Sequence, residues 1–346
     1  MAVPAGMWLD LMGRDYLDGF IRDGGGAVRF AVAEAPVLEH LAQGLRTRAA
    51  AAGLHHVAID LAATRLHMVQ NVVFAVAAAL PWERMVQARL EKLALEAGYA
   101  WPRARCAGTP DPSAGLSLLQ VLADTNGVAA PLLRRDLTQA LSRTLWQDAR
   151  LTQDFRHAMI ALLEARLTGE DTALADAVMS WLRGTLGRMG QVAAAQVGRR
   201  IGRQNARATL MSLCHFVHNT GGVAGVNAGG VSETNAGGVA GNTSSQGGLL
   251  LTLDIRRLHR ERRDVAEGLV YTPAAVMDCY EVLRQLIDEA GHFPGLFVAV
   301  LADDAFLSDD LRRSLGQYTA LQMRIWDDVR PAGGDNPLAP LVRVTA

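Results

Sequence analysis

The sequence predicts an α/β protein in which a parallel sheet is interrupted by a long helical region. Two observations predict the sheet: a strand, helix, strand succession over residues 28–61 and a second one over 249–301. A third, helical periodicity almost unbroken from 65 to 219, predicts the interruption.

Taken in order, residues 7–22 have apolar side chains at helical spacing and end at Gly24-Gly25-Gly26. Residues 28–33 (Val-Arg-Phe-Ala-Val-Ala) are short and β-compatible, 37–52 are helical and stop before Gly53, and 57–61 read as a short buried strand. Strands joined this way lie parallel. From 65 to 219, Leu, Ala and Arg recur at helical spacing, broken at Pro81, Pro102, Pro110, Pro112, Gly127 and Gly169. Residues 249–254 and 295–301 are continuous apolar runs, the kind buried on both faces of a sheet. Between them 274–290 reads as a helix, and 341–344 forms a final short strand. The expected organisation is 1–64 as the first part of the α/β core, 65–218 as the helical region, 219–247 as a loop and 248–346 as the second part of the core.

The 346 residues are enough for one large or two smaller domains, at about 100–200 residues per domain. Lys plus Arg number 34 against 35 Asp plus Glu, a net charge of -1, so bulk electrostatics favours neither nucleic acid nor a membrane. Lys92 is the only lysine. It falls on the wet face of an amphipathic helix, and no other position offers the mobile ammonium of a phosphate-gripping loop or a Schiff base. Cys106, Cys214 and Cys279 are odd in number and lack any CxxC spacing, which predicts no disulfide framework and a reducing compartment. Residues 1–19 show no signal-peptide pattern, and the longest apolar run, 72–80, is about half a membrane span. A cytoplasmic protein without a membrane partner is expected.

Three near-identical octapeptides start at Asn219, Asn227 and Asn235. Glycine and asparagine at this density bury too little apolar surface to offset the entropy of ordering, so a mobile glycine-rich loop is expected there.

Chemistry in an α/β protein is sought where strands end and helices begin. After the first strand comes Ala33-Glu34-Ala35-Pro36-Val37-Leu38-Glu39-His40, in the context where a phosphate loop reads GxxxxGK followed by Ser or Thr. All four defining positions, Ala33, Leu38, Glu39 and His40, differ. Ala33 and Leu38 carry side chains where converging backbone N–H groups need glycine, and Pro36 has no N–H. Glu39 stands in the lysine position, where its charge opposes a phosphate by about 4 kcal/mol at ~4 Å and an effective dielectric of about 20.

Around this loop the chain resembles the P-loop ATP-binding proteins associated with bacteriophage-exclusion (BREX) defence systems. The resemblance rests on Gly13-Arg14-Asp15-Tyr16-Leu17, on Gly24-Gly25-Gly26-Ala27-Val28-Arg29-Phe30, and on residues 57–61, 201–206, 250–254, 283–288 and 293–297, in order along nearly the whole length. It implies a P-loop NTPase-like parallel sheet with a large inserted helical region, and a site for ATP and Mg²⁺. Asp254 occupies the position of the Walker B aspartate that would hold the metal, the acidic residue expected next is Ile255, and Asp303 and Asp304 follow the strand that would carry a sensor residue. With phosphate cradle, cation and catalytic acid all lost, bound ATP or metal is not expected. The first reading is a pseudo-ATPase with degenerate Walker motifs, acting as a scaffold or regulatory subunit through a protein partner, with self-association left open.

A second reading is an enzyme or small-molecule binder that reuses the vacated cleft through Glu39, His40, Asp60, Asp254 and Asp303. A third is DNA binding through Arg256, Arg257, Arg260, Arg262 and Arg263 with His259, or through Arg199, Arg200, Arg203 and Arg207, although Glu261, Asp264 and Glu267 favour a salt-bridged face. Cys214 and His218 are one helical turn apart, a spacing that holds zinc, but no further ligands accompany them; His55-His56 reads as a polar turn ahead of the second strand.

Overall fold

The computed structural model describes residues 2–102, 116–220, 247–261, 267–308, 312–326 and 336–346. The chain forms two compact units, one of residues 1–76 with 214–346 and one of 77–213. Residues 221–246, which hold most of the octapeptide repeats, and Cys106, Arg262, Arg263 and Asp264 lie outside the described residues; Asn219 and Thr220, expected to open the loop, instead end the helix Ala206–Thr220.

The first unit is built on a six-stranded, all-parallel sheet. Its strands are β1 (Val3–Pro4), β2 (Gly26–Val32), β3 (His55–Ile59), β4 (Leu249–Asp254), β5 (Leu296–Ala302) and β6 (Leu341–Thr345), in the order β1-β6-β2-β5-β4-β3. Every residue of β5 is buried, as is all of β4 except Asp254, because both faces are covered; this is why the two strands are continuous apolar runs. β2 pairs with β5 along its whole length, Gly26 to Leu296 through Val32 to Ala302. Its other edge meets β6 only from Phe30 to Val32.

On one face, α1 (Ala5–Leu11) runs into a π-helical stretch (Met12–Phe20), and with α2 (Ala35–Ala51) it packs Trp8, Leu9, Leu17, Leu38 and Leu41 against Ala27, Ala31, Phe297 and Leu301. Each such Leu contributes about 1.5–3 kcal/mol by leaving water. Toward the other face, Phe30 stacks on Phe306 at 6.0 Å between ring centroids, and Tyr280 of α11 (Pro273–Asp288) meets the same ring. Gly295 opens β5 at φ 67°, where a Cβ would come within 2.9 Å of His218 Nδ1, so both backbone and packing require glycine.

The second unit contains α4 (Trp82–Glu96), α5 (Leu118–Asn126), α6 (Ala130–Leu141), α7 (Gln153–Thr168) and α8 (Thr172–Leu182). Two helices cross its limits: α3 (Val69–Ala79) and α9 (Ala206–Thr220). α5 is closed by a capping box, Gln120 N donating to Ser117 Oγ and Ser117 N to Gln120 Oε1, and by Gly127 in the left-handed region. Leu122, Leu133, Phe155, Leu163 and Val178 fill the interior. The helical unit thus begins and ends inside the 65–218 span read from periodicity.

His55 and His56 lie within β3 and not in a turn before it. His55 is buried and His56 Nε2 sits 3.0 Å from Thr252 Oγ1 on β4, a cross-strand partner that local sequence does not reveal. β1, a pair of residues held by β6, is too short to have a period.

Candidate functional site

The carboxyl ends of β2, β3, β4 and β5 carry the residues singled out from the sequence. β2 ends at Val32 and α2 begins at Ala35, so only Ala33 and Glu34 connect them. Ala33 N still donates to Ala302 O, continuing the ladder, and Leu38 N already donates to Glu34 O as the first helical bond. Pro36, with its fixed φ, fits the first turn and removes one of the N–H groups a helix start leaves unbonded. Residues 35–40 are therefore helix from the outset. Leu38, 1% exposed, belongs to the core, while Glu39 and His40 project to the surface.

Asp254 ends β4 and is held by the residue two positions on. Arg256 Nε lies 3.0 Å from both carboxylate oxygens, Nη2 lies 2.5 Å from Oδ2, and the Arg256 backbone N donates to Oδ1 at 3.1 Å. This bidentate fork is the strong form of a charge-assisted hydrogen bond. Asp254 raises the Arg256 pKa above its ordinary value, and Asp303 and Glu39 add to it through their charges. Arg256 thus contacts Asp254, while Asp303 and Glu39 act on it through charge. Asp60, at the end of β3, accepts the Ala62 N–H at 2.7 Å and shapes the turn that follows.

Asp303 faces a buried partner from the basic cluster that follows Asp254 in the sequence. His259, at the end of α10 (Arg256–His259), has Nδ1 3.6 Å from Asp303 Oδ1 and Nε2 2.9 Å from the Tyr280 hydroxyl, which donates to Arg313 O at 2.7 Å. Among the described residues neither Nδ1 nor Oδ1 has a hydrogen-bond partner. Burial pushes the Asp303 carboxyl up, but His259 and Arg260 pull harder and hold it below the usual carboxylate range. Burial raises the Tyr280 phenol strongly, so it stays protonated. Asp304 pairs with Arg343 of β6 at 2.7 Å. Tyr280 and Arg343 gave no signal of their own, since one sits at an ordinary core position of a helix and the other lies 39 residues from Asp304.

Of the arginines that follow Arg256, the Arg257 side chain is also engaged. Arg257 donates from Nε to Leu269 O at 2.9 Å and from Nη2 to Glu267 O, and Arg260 accepts at its carbonyl from Arg313. In the helical unit, Arg200 donates to Leu186 O at 2.9 Å and Gly187 O at 2.6 Å. Cys214 is a buried free thiol, and His218 Nδ1 lies 2.8 Å from Gly247 O. Among the described residues, no three His, Cys, Asp or Glu side chains gather as a metal site, and no helix is long and apolar enough to cross a membrane.

At the strand ends Asp254 is therefore answered by Arg256 and Asp304 by Arg343, Asp60 by a backbone N–H, and Asp303 faces His259. Comparison with protein-family models, with curated proteins and with solved structures finds no match for this chain.

Proposed function

We propose that the protein is a P-loop-fold pseudo-ATPase, a scaffold or regulatory subunit that does not hydrolyse nucleotide. The strand order supports the fold: counted from β2, the five longer strands run 5-1-4-3-2 across the sheet, all parallel. That is the arrangement of P-loop ATPases in which a sensor strand separates the Walker A and Walker B strands. β2, β4 and β5 would then be the Walker A, Walker B and sensor strands, with Asp254 and Asp303 at their expected ends.

The observation that carries the loss of nucleotide chemistry is the connection of Ala33 and Glu34 between β2 and α2. A phosphate cradle needs a longer run of backbone whose N–H groups converge; here the chain passes straight from strand to helix. The residues present do not fit Mg-ATP. Leu38 is committed to the core, Glu39 is an exposed carboxylate, and both Asp254 oxygens are occupied by Arg256. Titration calorimetry with Mg-ATP tests the reading: heats of dilution alone support it, and micromolar binding sinks it.

A second reading, a different small molecule in the vacated cleft, is favoured by the unmatched His259 Nδ1 and Asp303 Oδ1. It requires a ligand whose binding is lost in His259→Ala with the fold intact.

A further inference from the structure

Arg29 is a cation in a place built for apolar side chains. It alternates along β2 with Ala27 and Ala31, which belong to the core beneath α1 and α2, so its side chain enters the same layer. Its Nη1 donates to Val28 O at 2.8 Å, its Nη2 donates to the Tyr16 hydroxyl, and its Cζ lies 4.6 Å from the Tyr16 ring centroid. Nε is buried without a partner, and among the described residues no carboxylate pairs with the guanidinium. A guanidinium has five N–H donors, so most of this fork is unanswered. Partly buried charge is costly unless paired, and an unpaired arginine at such a position calls for an anion.

The space for one is present. β6 joins β2 only from Phe30 onward, so among the described residues no strand pairs with that edge of Gly26–Arg29, and a cavity of about 420 Å³ lies beside it. That volume falls within the ~300–1,000 Å³ of small-molecule sites. Tyr16, Phe20, Ile287 and Pro340 line it together with Arg29. Tyr16 and Phe20 come from the π-helical stretch, a rare conformation that recurs at functional sites, and their rings meet edge-on at 6.1 Å. The cavity lies along the amino-terminal half of β2, away from the strand ends that carry Asp254 and Asp303. It also joins segments 13–17, 24–30 and 283–288, which the pseudo-ATPase reading leaves without a role.

The charges select the ligand. The other cation lining the cavity, Arg324, is held by Asp288 at 2.7 Å, and the nearby Asp15 carboxylate, paired with Arg14 at 2.6 Å, disfavours a doubly charged anion. One unanswered guanidinium beside aromatic and aliphatic walls suits a single carboxylate on an apolar body. We infer that this cavity binds small monocarboxylates with an aromatic or branched apolar body, the carboxylate forked by Arg29 and the body resting between Tyr16, Phe20 and Ile287.

Calorimetric titration of the full chain with phenylacetate, 3-phenylpropionate and 4-methylpentanoate tests this, with phenylacetamide as the neutral control. The expected result is saturable binding of at least one acid, phenylacetamide binding at least about tenfold more weakly than phenylacetate, and a comparable loss of acid binding in Arg29→Met, as for removal of a charge-assisted fork. Arg324→Gln should change affinity by less than about threefold, as for a charge with its own partner. The inference is overturned if no acid binds at up to about 10 mM, if amide and acid bind equally, or if Arg29→Met with native circular dichroism binds like the unaltered protein. Should Arg29→Met fail to fold, the acid–amide comparison on the unaltered protein still decides. Binding or refusal of Mg-ATP leaves this outcome unaffected.

Discussion

The guanidinium of Arg256 grips the Asp254 carboxylate as a fork, with Nε 3.0 Å from both oxygens and Nη2 2.5 Å from Oδ2. In a P-loop ATPase the Walker B aspartate holds the nucleotide's metal, and under the proposed reading that aspartate is Asp254. Here a divalent cation would first have to displace an arginine attached two residues away. The charge that would attract a metal is neutralised locally, and Asp254 becomes part of the turn into α10.

The fork should be measurable as a coupling. Both side chains are partly exposed, 24% for Arg256 and 41% for Asp254, which places the pair near the upper end of surface ion pairs. A double-mutant cycle with Asp254→Asn and Arg256→Gln, read by urea unfolding, should give a coupling of about 1 kcal/mol. A coupling indistinguishable from zero means that the fork does not persist in solution.

Restoring the motif letters should not restore the site. In the triple variant Leu38→Gly, Glu39→Lys, His40→Thr, a buried core leucine is lost at a cost of about 2–5 kcal/mol, and a helix-interior glycine adds about 1 kcal/mol. The expected outcome is a much lowered melting temperature and no Mg-ATP binding. A stable variant that binds nucleotide would show that the backbone of 33–40 can reopen into a cradle.

Acid should weaken the α11 side of the sheet in a defined window. Arg284, then Tyr318 and Gln285, hold the Glu281 carboxyl down at about 2, against burial acting the other way. A carboxyl lowered on folding contributes stability that is fully present above its unfolded pKa of about 4.3 and is lost as pH falls toward the folded value. Unfolding free energy should therefore decline between roughly pH 4.5 and 2. Glu281→Gln should flatten that part of the profile; an unchanged slope contradicts the assignment.

Much of the fold is legible in the sequence because its inner strands are covered on both faces. Leu249–Leu253 and Leu296–Ala302 are apolar but for Thr252, whose hydroxyl meets His56, and the βαβ order of the segments makes the sheet parallel. β1 is invisible for the opposite reason, being a pair of residues held by β6. At the candidate site the composition of 33–40 shows what is missing, but the length of the connection does not follow from it. Pro36 and the flanking alanines suit a helix start equally well, and the structure takes that option. Side-chain partners far along the chain were not readable: His259 with Asp303 and Tyr280, or Arg29 with Tyr16, depend on which faces the sheet brings together.

The most direct measurement is titration calorimetry of the intact chain with ATP in the presence of Mg²⁺. The two-residue turn of Ala33 and Glu34, the buried Leu38 and the forked Asp254 predict heats of dilution only. A saturable isotherm with a micromolar Kd would contradict the account at its centre.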